Sequence, residues 1–155
     1  NSKREINCSP YIKESGRFII NENSHFDYEY VTEFIENLIN KEDQTKPVLF
    51  LGTGEFMYIP MKIAINFPNA VYHSTTRSPI FIENRENYGA KNGIEFKNPY
   101  DSDMKNYLYN IKRDIYSKII IFFERDAISS DFSDLIGQMA QFQILEIDIL
   151  IFVKY

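Results

Sequence analysis

The chain carries one cysteine, Cys8, so no internal disulfide can form, and a reducing, cytoplasmic setting is the expectation. Long apolar runs are missing too. The longest, residues 119–123 and 149–153, span five residues against the roughly 20 that cross a bilayer as a helix, so no membrane helix is expected. The amino end lacks the basic-then-apolar order of a secretory signal. Basic residues are outnumbered 17 to 22, and the net charge of −5 argues against a general nucleic-acid binder, which needs a surplus of Lys and Arg to meet phosphates. A local anion pocket stays open. The two histidines, His25 and His73, stand far apart with no partner at metal-ligand spacing, and no zinc motif results. The sequence identifies no particular cofactor and leaves participation of a metal open, and there is neither an internal repeat nor a low-complexity tract.

What is present fits one soluble α/β domain. With 155 residues, 44% of them hydrophobic, folding buries roughly 68–70% of the unfolded chain's surface, enough for a core without metal or disulfide support. The chain begins at Asn1 rather than Met, which points to processing, a cloning boundary or excision from a longer polypeptide.

Residues 1–16 are polar and irregular, broken by Pro10 and Gly16, and read as an arm or interdomain linker; residues 17–155 then form the single domain. After a short apolar piece at 17–20, Asp27 can cap a helix whose stripe is Tyr30, Val31, Phe34, Leu38 and Ile39. Residues 48–51 are apolar at every position, as in a parallel strand covered on both faces. A helical stripe follows through Phe56, Ile59, Ile63, Ala64 and Phe67. Pro60 must either open that helix, with 55–58 a separate turn, or kink it. A strand is expected over 71–75 and mostly loop over 83–100, with a brief strand near 94–97. Met104, Tyr107, Leu108, Ile111 and Ile115 keep helical spacing behind an Asp101-Ser102 cap, which predicts a helix there. Residues 119–123 are the best buried strand. A helix capped by Ser130 or Asp131 and a last strand over 147–153 complete the chain.

Alternating strand and helix signals predict a three-layer α/β sandwich with a mostly parallel, Rossmann-like sheet. Right-handed crossovers put the strands at 48–51 and 71–75 side by side, with their carboxyl-end loops on one edge, where ligands of such sheets usually sit.

Two loops on that edge hold the candidate binding residues. Gly52, Thr53 and Gly54 end one strand, and their backbone amides can face an anion, the glycines removing side chains that would block approach. A plain tight turn explains them as well. A dinucleotide fingerprint would want glycine where Met57 stands, and the methyl-donor loop of methyltransferases glycine in place of Phe56. Thr75, Thr76, Arg77 and Ser78 pack three hydroxyls and a guanidinium into four residues, a donor set for phosphate or carboxylate. The alternative is a capped turn with Arg77 in a surface ion pair. Glu55, after the glycine turn, and Glu124, with Asp126 at the end of the buried strand, are the candidate catalytic acids or bases; carboxylates there can also orient a ribose hydroxyl, hold Mg²⁺ or serve as plain helix-dipole partners. Tyr100, Tyr107 and Tyr109 can stack on a base or simply pack in the core.

Taken together, Val48-Leu49-Phe50-Leu51-Gly52-Thr53-Gly54-Glu55-Phe56-Met57-Tyr58-Ile59-Pro60 and Ser74-Thr75-Thr76-Arg77-Ser78-Pro79-Ile80 resemble the TRSP domain, named for the tetrapeptide standing here as Thr76 to Pro79. Asn106-Tyr107-Leu108-Tyr109-Asn110 and the strand ending in Glu124 also match that pattern, so the likeness covers about residues 45–126. The resemblance implies a domain that follows a phosphoribosyltransferase domain in one bacterial polypeptide, encoded near tellurite-resistance and stress-response genes, and engaged in making a nucleoside-like metabolite. The transferase's own ribose-phosphate loop, two acids and a hydroxyl, is not recognisable here, which implies that the catalytic half lies outside this chain.

Three functions follow as expectations. The domain binds a phosphorylated sugar or nucleotide-like ligand, such as phosphoribosyl pyrophosphate, between the two loops. Or it is an enzyme acting on the transferase product through Glu55 or Glu124. Or it is a non-catalytic docking module for the transferase domain or an operon partner.

Overall fold

An apolar run can be a strand only if both of its faces are covered, and the central strands meet that condition residue by residue. In the computed structural model, which describes residues 2–7, 28–39, 45–124, 131–144 and 146–153 (2–7 and 153 in backbone alone), β2 spans Val48–Gly52 and β6 spans Lys118–Phe123. Every residue of both is buried. Alternate side chains divide between two cores. Leu49, Leu51, Ile119, Ile121 and Phe123 join one, and Val48, Phe50, Ile120 and Phe122 the other. The last strand, β7 (Glu146–Val153), repeats the division with Ile147, Ile149 and Ile151 against Leu150 and Phe152.

These strands belong to a five-stranded sheet in the order β1-β7-β6-β2-β3, parallel at every junction. On one face lie α1 (Tyr28–Leu38), buried through Val31 and Ile35, and α2 (Tyr58–Ala64), buried through Ile59, Pro60, Ile63 and Ala64. The other face is covered by α3 (Ser133–Ala140), through Leu135 and Met139, and by a hairpin of β4 (Gly93–Asn98) and β5 (Asp101–Tyr109). The three-layer α/β architecture with a parallel sheet is thus the observed one, with a β-hairpin sharing one outer layer. Pro60 is the third residue of α2, where the N–H it lacks would have had no partner inside the helix, and residues 53–56 form a separate turn before it.

Two segments differ from expectation. Residues 2–7, read as part of an irregular arm, are β1 (Ser2–Asn7), paired along its length with β7. Residues 104–115, read as a helix, form β5 and a following loop. The helical spacing there was coincidental, because Asn106 and Leu108 point inward at a period of two while Tyr107 and Tyr109 line the other side. A polar residue at an inward position hid the alternation. Asn110 and Asp114 then adopt left-handed backbone, with φ of 59° and 54°, which no continuing helix tolerates. Asn110 suits that role, since its amide holds Lys91 N–H at 2.9 Å and Gly89 carbonyl at 2.7 Å.

Expectations for residues 17–20, Cys8, His25, the Asp27 cap, Asp126 and Ser130 lie outside the described residues. No helix among the described residues is long and apolar enough to cross a membrane.

Candidate functional site

From β2 the chain crosses through α2 to β3 (Ala70–Ser74) on one side, and from β6 through α3 to β7 on the other. Right-handed crossovers in opposite directions must lie on opposite faces of the sheet, which parts the loops leaving β2 and β6 at their carboxyl ends. A cleft of about 260 Å³ opens at that switch point. Thr53, Gly54 and Glu55 from the β2 exit, Phe123 and Glu124 from the β6 exit, and Arg77 beyond β3 line it. The far wall is the hairpin, through Asn98, Tyr100, Asp101, Met104 and Asn106.

Hydrogen bonds hold the rim. Thr53 Oγ1 donates to the Phe122 carbonyl at 2.6 Å, joining the ends of β2 and β6. Thr75 accepts the Gly54 N–H on its Oγ1 at 2.9 Å, and its own N–H reaches the Gly52 carbonyl at 3.0 Å, joining the ends of β2 and β3. Thr76 and Tyr107 exchange two backbone bonds of 2.9 and 2.7 Å, which dock the hairpin on the loop after β3. Ser78 N–H turns back to Thr76 Oγ1 at 3.1 Å, leaving Arg77 at the apex. Tyr109 clasps the same loop, its hydroxyl donating to the Ser78 carbonyl and accepting the Ile80 N–H at 2.7 Å.

The structure therefore brings Thr53, Gly54, Glu55, Arg77 and Glu124 to one cleft. Gly52, Thr75, Thr76 and Ser78 stand behind it, shaping the loops rather than lining the opening. Tyr100 lines the cleft with its ring edge-on to Phe123 at 5.6 Å, while Tyr107 and Tyr109 stack on each other. The glycine turn spends the N–H groups of Gly54, Phe56 and Met57 on bonds to Thr75, Thr53 and Glu55. Among the described residues, Arg77 is the cationic side chain that lines the cleft, exposed and without an ion pair to any of them.

Gly52 is required by close approach. A β-carbon there would lie 2.6 Å from the Tyr72 hydroxyl and 3.0 Å from the Phe56 carbonyl oxygen. Tyr72 donates that hydroxyl to the Met57 carbonyl at 2.9 Å, and burial pushes its pKa up to about 12. Gly52→Ala is expected to cost about 1–3 kcal/mol, seen as a lower denaturant midpoint at unchanged slope. Adding Tyr72→Phe should recover part of the loss, since it removes the nearest atom. In the same strand His73 is half-buried, and burial lowers its pKa.

Asn106 is the residue that motif reading missed as a site group. It is 4% exposed, faces inward opposite Phe96, lines the cleft, and its Oδ1 has no hydrogen-bond partner among the described residues. Had β5 been recognised as a strand, a lone amide between Met104 and Leu108 on the inward face would have stood out.

None of the curated proteins compared matches the chain. Among solved structures, adenine phosphoribosyltransferase from Thermoanaerobacter pseudethanolicus is similar at a TM-score of 0.46 and 9% identity, over 83% of this chain and 80% of that one. A family profile described as the TRSP domain, C-terminal to a phosphoribosyltransferase domain, matches residues 14–139. With the tetrapeptide Thr76-Arg77-Ser78-Pro79 folded as the loop that sets Arg77 over the cleft, and a match across most of its length, the chain belongs to the TRSP domain family.

Proposed function

We propose that this domain binds a phosphorylated sugar or nucleotide-like ligand in the switch-point cleft, as the companion of a phosphoribosyltransferase domain in making a nucleoside-like metabolite. The observation that carries the reading is Arg77, a guanidinium without a described carboxylate partner, set beside the strand-end turn at Thr53 and Gly54. A planar guanidinium gives phosphate two parallel hydrogen bonds. At about 260 Å³ the cleft suits a sugar phosphate better than a dinucleotide, because ligand sites commonly span about 300–1,000 Å³. Glu55 and Glu124 flank it as the candidate acid and base.

Thermal denaturation with ribose 5-phosphate or phosphoribosyl pyrophosphate tests this. Ligand at 100 times its Kd should add about 2.7 kcal/mol of stability. Arg77→Ala, at an exposed position, should leave the unliganded melting temperature nearly unchanged and abolish the ligand shift. A shift retained in Arg77→Ala would overturn the assignment. A second reading, a docking module for the transferase domain, is favoured by Ile80, Phe81 and Ile82, which follow the arginine loop at 47%, 72% and 42% exposure. Capture of that domain without stabilisation by either small molecule would select it.

A further inference from the structure

The cleft holds acceptor groups that a bare phosphate, itself an acceptor, does not use. Resting on the reading above, we propose that Asn106 is the specificity residue of this site, and that its ligand is a hydroxyl-bearing sugar monophosphate whose sugar hydroxyls, not its phosphate, are read by the hairpin wall.

The first argument is the amide oxygen of Asn106, which has no hydrogen-bond partner among the described residues. A buried amide oxygen without a partner costs free energy in every unliganded molecule, and such groups in native proteins are few. Asn106 is deeply buried, on a strand whose next inward residue is the core residue Leu108, so an apolar side chain would pack there at no polar cost. A guest with a hydrogen-bonding edge removes the penalty. Rotation about the terminal side-chain torsion exchanges oxygen and nitrogen, so the amide offers a hydroxyl either an acceptor or a donor.

The second argument is charge. Glu55, Asp101 and Glu124 line the same opening, where Arg77 is the one guanidinium among the described residues. Three carboxylates repel a bare polyanion such as pyrophosphate. Carboxylates and amides instead accept from neutral hydroxyls, leaving Arg77 for one phosphate. The Thr76–Tyr107 bridge holds the two halves of the site together, because it ties the strand carrying Asn106 to the loop carrying Arg77.

Calorimetric titration of the 155-residue chain with inorganic phosphate, pyrophosphate, ribose 5-phosphate and 2-deoxyribose 5-phosphate separates the two readings. Ribose 5-phosphate should bind about tenfold more tightly than inorganic phosphate, with the deoxy sugar in between and pyrophosphate no better than phosphate. Asn106→Leu should reduce ribose 5-phosphate to the affinity of phosphate, leave phosphate binding unchanged and raise the unliganded melting temperature. Asn106→Ser, smaller and polar, serves the same comparison if the leucine variant fails to fold. The probe series on the unmodified protein needs no variant. Phosphate binding that depends on Arg77, with ribose 5-phosphate no tighter, would overturn this inference and spare the anion site. Absence of binding by all four would overturn both, and ribose 5-phosphate affinity unchanged in Asn106→Leu would overturn the role of the amide.

Discussion

Lys118→Met is expected to lower the unfolding free energy by about 3 kcal/mol, near the lower end of what breaking a buried ion pair costs. Lys118 opens β6 with its side chain 10% exposed, and its ammonium lies 3.1 Å from Asp148 and 2.9 Å from Glu146 on the neighbouring strand β7. It also donates to the Leu38 carbonyl at the end of α1, so one side chain ties two strands to a helix. Burial alone would lower the lysine pKa, but hydrogen bonds and attraction from Glu146 and Asp148 outweigh it and raise the value above 10.5. The sign follows. Stability from this group is complete below the unfolded lysine value and is lost only as pH rises through the higher folded one. The methionine variant leaves Asp148, itself 9% exposed, without its ammonium, whereas the 58%-exposed Glu146 can turn to water. Lys118→Met combined with Asp148→Leu should therefore recover most of the loss, because an apolar pair of similar volume replaces a desolvated one. Urea titration of the two single variants and the double closes the cycle; simple additivity would show that the charges do not act as a pair.

Phe122→Ala should be the more damaging change, at about 3–5 kcal/mol, the range for deleting a buried aromatic ring. Phe122 is fully buried and stacks with Phe50 at 5.8 Å, with Phe152 6.0 Å away, so three adjacent strands lean on one ring under the α1–α2 layer. For a chain of this size each kcal/mol moves the melting temperature by about 2–4 °C. Its carbonyl also accepts the Thr53 hydroxyl, so a cavity beneath it loosens the floor of the cleft. Ribose 5-phosphate affinity should fall along with the melting temperature. Phe81→Ser is the control: at 72% exposure it should change stability by no more than about 0.5 kcal/mol. A melting temperature unchanged in Phe122→Ala would contradict the packing described.

How much of this was legible beforehand differs by element. Residues 48–51 and 119–123 read as doubly covered strands because their apolar character is uninterrupted, a pattern that few alternatives share. The helix over 28–38 and the one through Leu135 and Met139 were readable from one-sided spacing, although the first stripe included Tyr30, which is exposed, and passed over the buried Ile35. Residues 104–115 carry five apolar or aromatic positions at helical intervals by chance, while Asn106 breaks the alternation of the strand. Residues 2–7 gave no signal. The strand SKREIN is mostly polar in sequence, and its partner β7 is far away along the chain.

Composition, apolar periodicity and the TRSP tetrapeptide were enough to determine the fold class, the adjacency of β2 and β3 and the two loops worth watching, because burial and turn chemistry are local properties of a chain. Which side chains of those loops share one opening was decided only by tertiary structure. Arg77 faces the cleft because Thr76 pairs with Tyr107 on a strand 31 residues later, and Asn106 lines it because β5 turns that residue inward. Contacts across the fold depend on strand order and register, and no window of sequence contains those.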